Sequence, residues 1–188
     1  MLWSDDANFH EVLRGVKSAF TTKIIGSALA FSFNLALGRL LGAEGAGLYF
    51  LAFSIVAIGS VVGRIGLDNV VLRFVAIHTA SGEWQKVRAL HVLCLRVTVV
   101  LSGVIALLGF FTADFLASSL FKNSQLVAPL RWMSLSILPL SVLNLYAQSL
   151  KGLKRVSDAI TVQSIGVPLI SLLLIYPLSQ TFGMEGAS

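Results

Sequence analysis

Charge is scarce in this chain. Asp, Glu, Lys and Arg make up 12% of its 188 residues, about half the share found in a soluble globular domain. So thin a polar coat cannot cover a globule, and the mean hydropathy is +0.85. These values define a membrane protein. Cysteine is nearly absent as well. Cys94 stands alone inside an apolar segment, which excludes an internal disulfide and leaves it the role of a small buried hydrophobe. His10, His78 and His91 show no ligand spacing among themselves or with cysteine, so no metal site is expected. The opening Met1-Leu2-Trp3-Ser4-Asp5-Asp6 is acidic and lacks a basic region, which argues against a cleaved signal peptide.

Catalytic signatures are missing too. The chain has no His-Glu-x-x-His, no Gly-x-Ser-x-Gly, no Walker-type glycine loop and no Cys-x-x-Cys. Its nine acids are dispersed, and the only adjacent pair, Asp5-Asp6, lies in the tail. The reading is a protein that is not an enzyme and calls for no cofactor. A net charge of +5 and a pI near 9.7 raise nucleic acid as a partner. The basic residues are scattered between apolar runs, however, where they set topology instead.

What is present is a succession of apolar runs. Asn8 to Phe20 reads as an amphipathic surface helix, with Phe9, Val12, Leu13, Val16 and Phe20 on one face. Residues 1–22 are accordingly a cytoplasmic lead-in, and 23–188 a single transmembrane helical domain. Spans are expected at about 24–41, 48–67, 89–111, 126–150 and 156–178, with the start of a sixth at the end. Pro139 and Gly166-Val167-Pro168 predict kinks in the fourth and fifth. Between spans one and two, Gly38, Gly42, Gly45 and Gly47 crowd into ten residues and predict a tight corner. Arg64 and Asp68 stand four apart at the end of span two, where a shared helix face would let them pair.

Orientation follows from the cations. Arg14, Lys17, Lys23, Arg73, Lys86, Arg88, Lys151, Lys154 and Arg155 fall on one side of the spans, and Arg39 and Lys122 on the other. Arg64, Arg96 and Arg131 lie within them. The bias places the N-terminus in the cytoplasm and the glycine corner outside.

The run from Gly38 to Tyr49, GRLLGAEGAGLY, resembles the "aRLLG-x-e-x-yGlY" corner of the bacterial polysaccharide exporter and O-antigen flippase family. That family belongs to the multidrug/oligosaccharidyl-lipid/polysaccharide exporter superfamily. Ile65 to Ala76 is similar to its "lGld-x-a-l-x-R-f-v-a" segment, Lys151-Gly152-Leu153-Lys154-Arg155 to its basic turn, and Gly183-Met184-Glu185-Gly186-Ala187 to the entry of its sixth helix. Ala46 departs from the pattern, which often has an aromatic residue there.

The resemblance implies an all-α polytopic lobe of a two-lobe transporter in the cytoplasmic (inner) membrane. Its partners would be membrane lipid and a polyprenyl diphosphate-linked glycan, flipped outward in surface polysaccharide biosynthesis. Cationic residues in the cavity would meet the diphosphate. Arg64 is the first candidate, followed by Arg131 and Arg96, and for each the alternative is a snorkelling or topology-setting cation. Five spans are fewer than such a lobe holds, so the chain is read as an N-terminal, truncated part. Two alternatives stand beside flipping. One is a multidrug or cation exporter of the same superfamily, which would favour acids within the spans. The other is a non-transporting partner in a glycan-assembly complex with a polymerase or ligase.

Overall fold

A computed structural model describes residues 3–167, with side chains from Phe20 onward apart from Gly166. The kink expected at Pro168, the end of span five and the entry to a sixth helix at Gly183–Ala187 lie outside the described residues. So do the side chains of the amphipathic lead-in up to Ala19.

Among the described residues the regular structure is helical throughout. Helix α1 (Trp3–Arg64) is followed by α2 (Leu67–Ala80), α3 (Trp84–Phe115), α4 (Val127–Ser134), α5 (Ile137–Gly152) and α6 (Val156–Thr161). Short π turns occupy Leu116–Leu120 and Val162–Gly166, and a 3-10 turn occupies Ser124–Leu126. The segments Phe20–Arg64 and Trp84–Leu120 are each long and apolar enough to cross a membrane. The pair Ser124–Ser134 and Ile137–Gly152, bent by 46°, is a third candidate if it counts as one span. The protein is an all-α, multi-pass membrane protein.

The glycine corner is narrower than the sequence implies. Backbone geometry departs from helix only at Gly42, with φ 69° and ψ −178°, a region open to glycine alone. This divides α1 into arms 3–41 and 43–64. The membrane-length part of each is about 22 residues, or about 33 Å of helix, matching one bilayer core.

The chain forms two compact units, one of residues up to 41 and from 154 on, the other Gly42–Leu153. In the first, Gly26 lies so close to Ser164 that an added Cβ would stand 2.5 Å from its carbonyl oxygen. Only glycine fits that contact.

The second unit is a bundle. Arm 43–64 and α3 run antiparallel, since Gly63 meets Ser102 and Gly59 meets Ile105. Helices α4 and α5 return along α3, with Gly109 against Ser134 and Gly103 against Leu138. Three apolar clusters fill the bundle along its length. One is built on Ala52, Ala113, Ala117, Leu126 and Leu130. A second is built on Val56, Ala106 and Ile137, and the third on Val71, Val75, Cys94 and Leu145. Three buried serines sit between the helices because each donates its hydroxyl to a carbonyl of its own helix. Ser102 bonds Thr98, Ser134 bonds Leu130 and Ser141 bonds Ile137, each one turn back.

Two helix ends differ from expectation. Span two ends at Arg64 and not at 67, because Ile65 and Gly66 take positive φ of 43° and 72°. The bend near Pro139 falls at Leu135-Ser136, between α4 and α5. A proline ring crowds the carbonyl four residues earlier and offers it no donor. For Pro139 that carbonyl belongs to Leu135. The connection after Arg64 is helical as read. Val71 and Val75 of α2 are buried against the bundle, and Gly82 (φ 71°) turns the chain into α3. At that corner a hydrogen bond from Lys86 holds the Glu83 carboxyl below the usual carboxylate range.

Candidate functional site

Arg64 is the last residue of α1 and is only 8% exposed. A lone guanidinium in an apolar span costs on the order of 3 kcal/mol, so its partners decide whether it is tolerated. Its Nε donates to Asp68 Oδ2 at 2.9 Å, and its Nη1 donates to Ser60 Oγ at 3.0 Å. Ser60 Oγ lies in turn 3.1 Å from Ser141 Oγ on α5. The chain of contacts ties arm 43–64 to α2 through a charge and to α5 through two hydroxyls.

Arg64 and Asp68 pair as the spacing foretold, by a different route. They do not share one helix face. Arg64 closes α1, Asp68 sits in the first turn of α2, and the turn at Ile65-Gly66 stands between them. Asp68 is well placed at a helix N-terminus, where partial positive charge favours a carboxylate. Its second oxygen, Oδ1, is buried with no hydrogen-bond partner.

Arg131 has a separate setting. It forms an ion pair with Asp114 across α3 and α4, and its guanidinium stands 5.7 Å from the Phe110 ring centroid. Arg96 on α3 is exposed and carries no ion pair or hydrogen bond among the described residues. The three arginines are not brought together. Ser102 of α3 faces Gly63, next to Arg64. Asp114, the partner of Arg131, lies twelve residues further along that helix, about 18 Å away, and Arg96 lies six residues in the other direction, about 9 Å.

Sequence reading missed the serines. Ser60 is one helical turn before Arg64, a spacing that could have announced it. Ser141 is 81 residues from Ser60, and nothing local signals that they meet.

The family model described as "Polysaccharide biosynthesis protein" matches residues 12–184. Stage V sporulation protein B of Bacillus subtilis (strain 168) is 27% identical over 118 residues. That alignment covers 63% of this chain and 23% of the relative, so it spans less than a quarter of that protein's length. No solved structure matches.

Proposed function

The chain belongs to the polysaccharide biosynthesis protein family, and from that premise we propose that it takes part in flipping a lipid-linked oligosaccharide or polysaccharide precursor outward across the cytoplasmic membrane. The match over residues 12–184 carries this reading. The N-terminus lies in the cytoplasm, on the side where the lysines and arginines gather. Arg64 meets the substrate's diphosphate: a buried guanidinium at the end of a span is the group best suited to a doubly charged, oxygen-rich ligand. Arg96, exposed on α3 and apart from Arg64, would meet the substrate at a separate point. Arg131, engaged with Asp114, ranks below both as a binding group.

Transport without chemistry on the substrate fits the acids of the chain. Asp68, Asp114 and Asp158 each pair with an arginine, which leaves none of the three as a free acid or base. A cation exporter would favour carboxylates left unpaired within the spans, and these three aspartates are paired at rest.

Complementation tests the proposal. Expressed as the full-length protein in a strain lacking its own glycolipid exporter, it is expected to restore surface glycan. Arg64→Ala should lower that activity by about tenfold or more, the usual consequence of removing a buried charge contact, at equal amount in the membrane. Undiminished activity in the Arg64→Ala and Arg96→Ala variants would remove the cationic site. Co-purification with a polymerase or ligase, without restored glycan, would replace flipping by a partner role.

A further inference from the structure

Arg64 is held from two sides, and the two holders differ in kind. Ser60 is neutral, on the same helix and backed by Ser141. Asp68 is charged, on the next helix, and reached only across the Ile65-Gly66 turn. From this difference we propose that Asp68 is a resident counter-anion. It occupies the guanidinium while no substrate is bound, and yields it to the diphosphate of the lipid-linked substrate. The proposal rests on the reading of Arg64 as the diphosphate contact.

Three observations make the carboxylate the replaceable partner. First, its grip is one-sided. Asp68 accepts from Nε through Oδ2 alone, although a guanidinium can offer a carboxylate or phosphate two parallel donors. Second, Asp68 Oδ1 is buried and unsatisfied. A carboxylate denied both water and donors at one oxygen is poorly solvated, and opening the pair lets that oxygen regain partners. Third, the link crosses a strained turn. Ile65 is β-branched and sits at φ 43°, a left-handed conformation that β-branched residues avoid. Relaxing that turn moves Asp68 away from Arg64 and leaves the Ser60 contact intact.

The chemistry of exchange follows. Without a counter-anion, the empty site would bury an unpaired cation. With Asp68 in place, binding swaps one anion for another, and the substrate competes against a carboxylate instead of filling a vacancy. Apparent affinity is then reduced by the fraction of time that Arg64 is engaged. Release is assisted in the same measure. Asp68 is thus a positioning residue that acts on substrate through Arg64.

The test is binding of farnesyl diphosphate, a short polyprenyl diphosphate, to the full chain in lipid nanodiscs. Asp68→Asn keeps an oxygen for Nε and removes the charge, so it is expected to tighten binding about threefold to tenfold by lifting the competition. Asp68→Glu should bind like the parent. Arg64→Ala should weaken binding about tenfold or more, and the double variant should match Arg64→Ala. Unchanged or weaker binding by Asp68→Asn, with Arg64→Ala still impaired, overturns the counter-anion and leaves the Arg64 contact standing. Unchanged binding by Arg64→Ala overturns both. A second measurement uses the parent alone and survives a misfolded variant. If the pair opens, farnesyl diphosphate should speed amide hydrogen exchange at residues 65–70. Slower exchange there means the pair stays closed on binding, and the proposal falls.

Discussion

Arg64 is tolerable inside an apolar bundle because each side of its guanidinium finds a partner, one charged and one neutral. The neutral side can be weighed by substitution. Ser60→Ala removes the Nη1 acceptor at a site only 2% exposed, and a bond to a charged group there is worth about 1–2 kcal/mol. Ser54→Ala is the matching control, since Ser54 is exposed and bonds only the Phe50 carbonyl of its own helix. It should change stability by less than about 0.5 kcal/mol. Unfolding in mixed micelles reads both, and equal losses would show that the Arg64 contact adds nothing. Gly63, beside Arg64, is governed by space instead. A Cβ there would stand 2.9 Å from Ser102 Cβ and 3.0 Å from its Cα. Gly63→Ala must therefore shift backbone, and is expected to destabilise by about 1–3 kcal/mol in the same assay.

At the scale of the helices, the sequence located breaks better than it ranked them. Four glycines within ten residues announce a corner, but only Gly42 leaves the helix. Gly38 and Gly47 stay helical and face open space. The two kinds of glycine predict opposite responses to one methyl group. Gly42→Ala meets no atom, yet forces an alanine to φ 69° and ψ −178°, which should cost about 1–3 kcal/mol. Gly38→Ala meets no atom either and replaces glycine within a helix, a gain of up to about 1 kcal/mol. Losses at both positions in thermal unfolding would place the corner elsewhere. Pro139 was legible for a general reason, because its ring acts on the carbonyl four residues earlier wherever it sits in a helix. The stop after Arg64 was not. Ile65 is β-branched and gives no warning of a left-handed turn, so only Gly66 marked it. The site was legible in the same uneven way. The i, i+4 spacing brings Arg64 and Asp68 to mind, whereas Ser60 and Ser141 meet through tertiary packing that no local pattern records.

Over the bundle as a whole, the bent pair of α4 and α5 decides the topology. Two helices joined at 46° can form one broken span, or a loop that enters and leaves on the same side. Packing favours the span. Helix α4 joins the cluster around Ala113 and Leu126 near the end of α3, and α5 reaches the cluster around Cys94 and Leu145 near its beginning. The pair therefore follows α3 through most of its length, from Gly109 against Ser134 to His91, whose ring nitrogen lies 2.9 Å from Ser149. Between those contacts α3 advances eighteen residues, about 27 Å, close to the thickness of a bilayer core. Fusions of a phosphatase active only outside the cytoplasm can test this. A fusion after Ser124 should be active, and one after Leu153 inactive, because Lys151, Lys154 and Arg155 gather at that end. Equal activity at the two positions would make α4 and α5 a re-entrant hairpin. It would also reverse every later element relative to the membrane, while leaving the burial of Arg64, on arm 43–64, as it is.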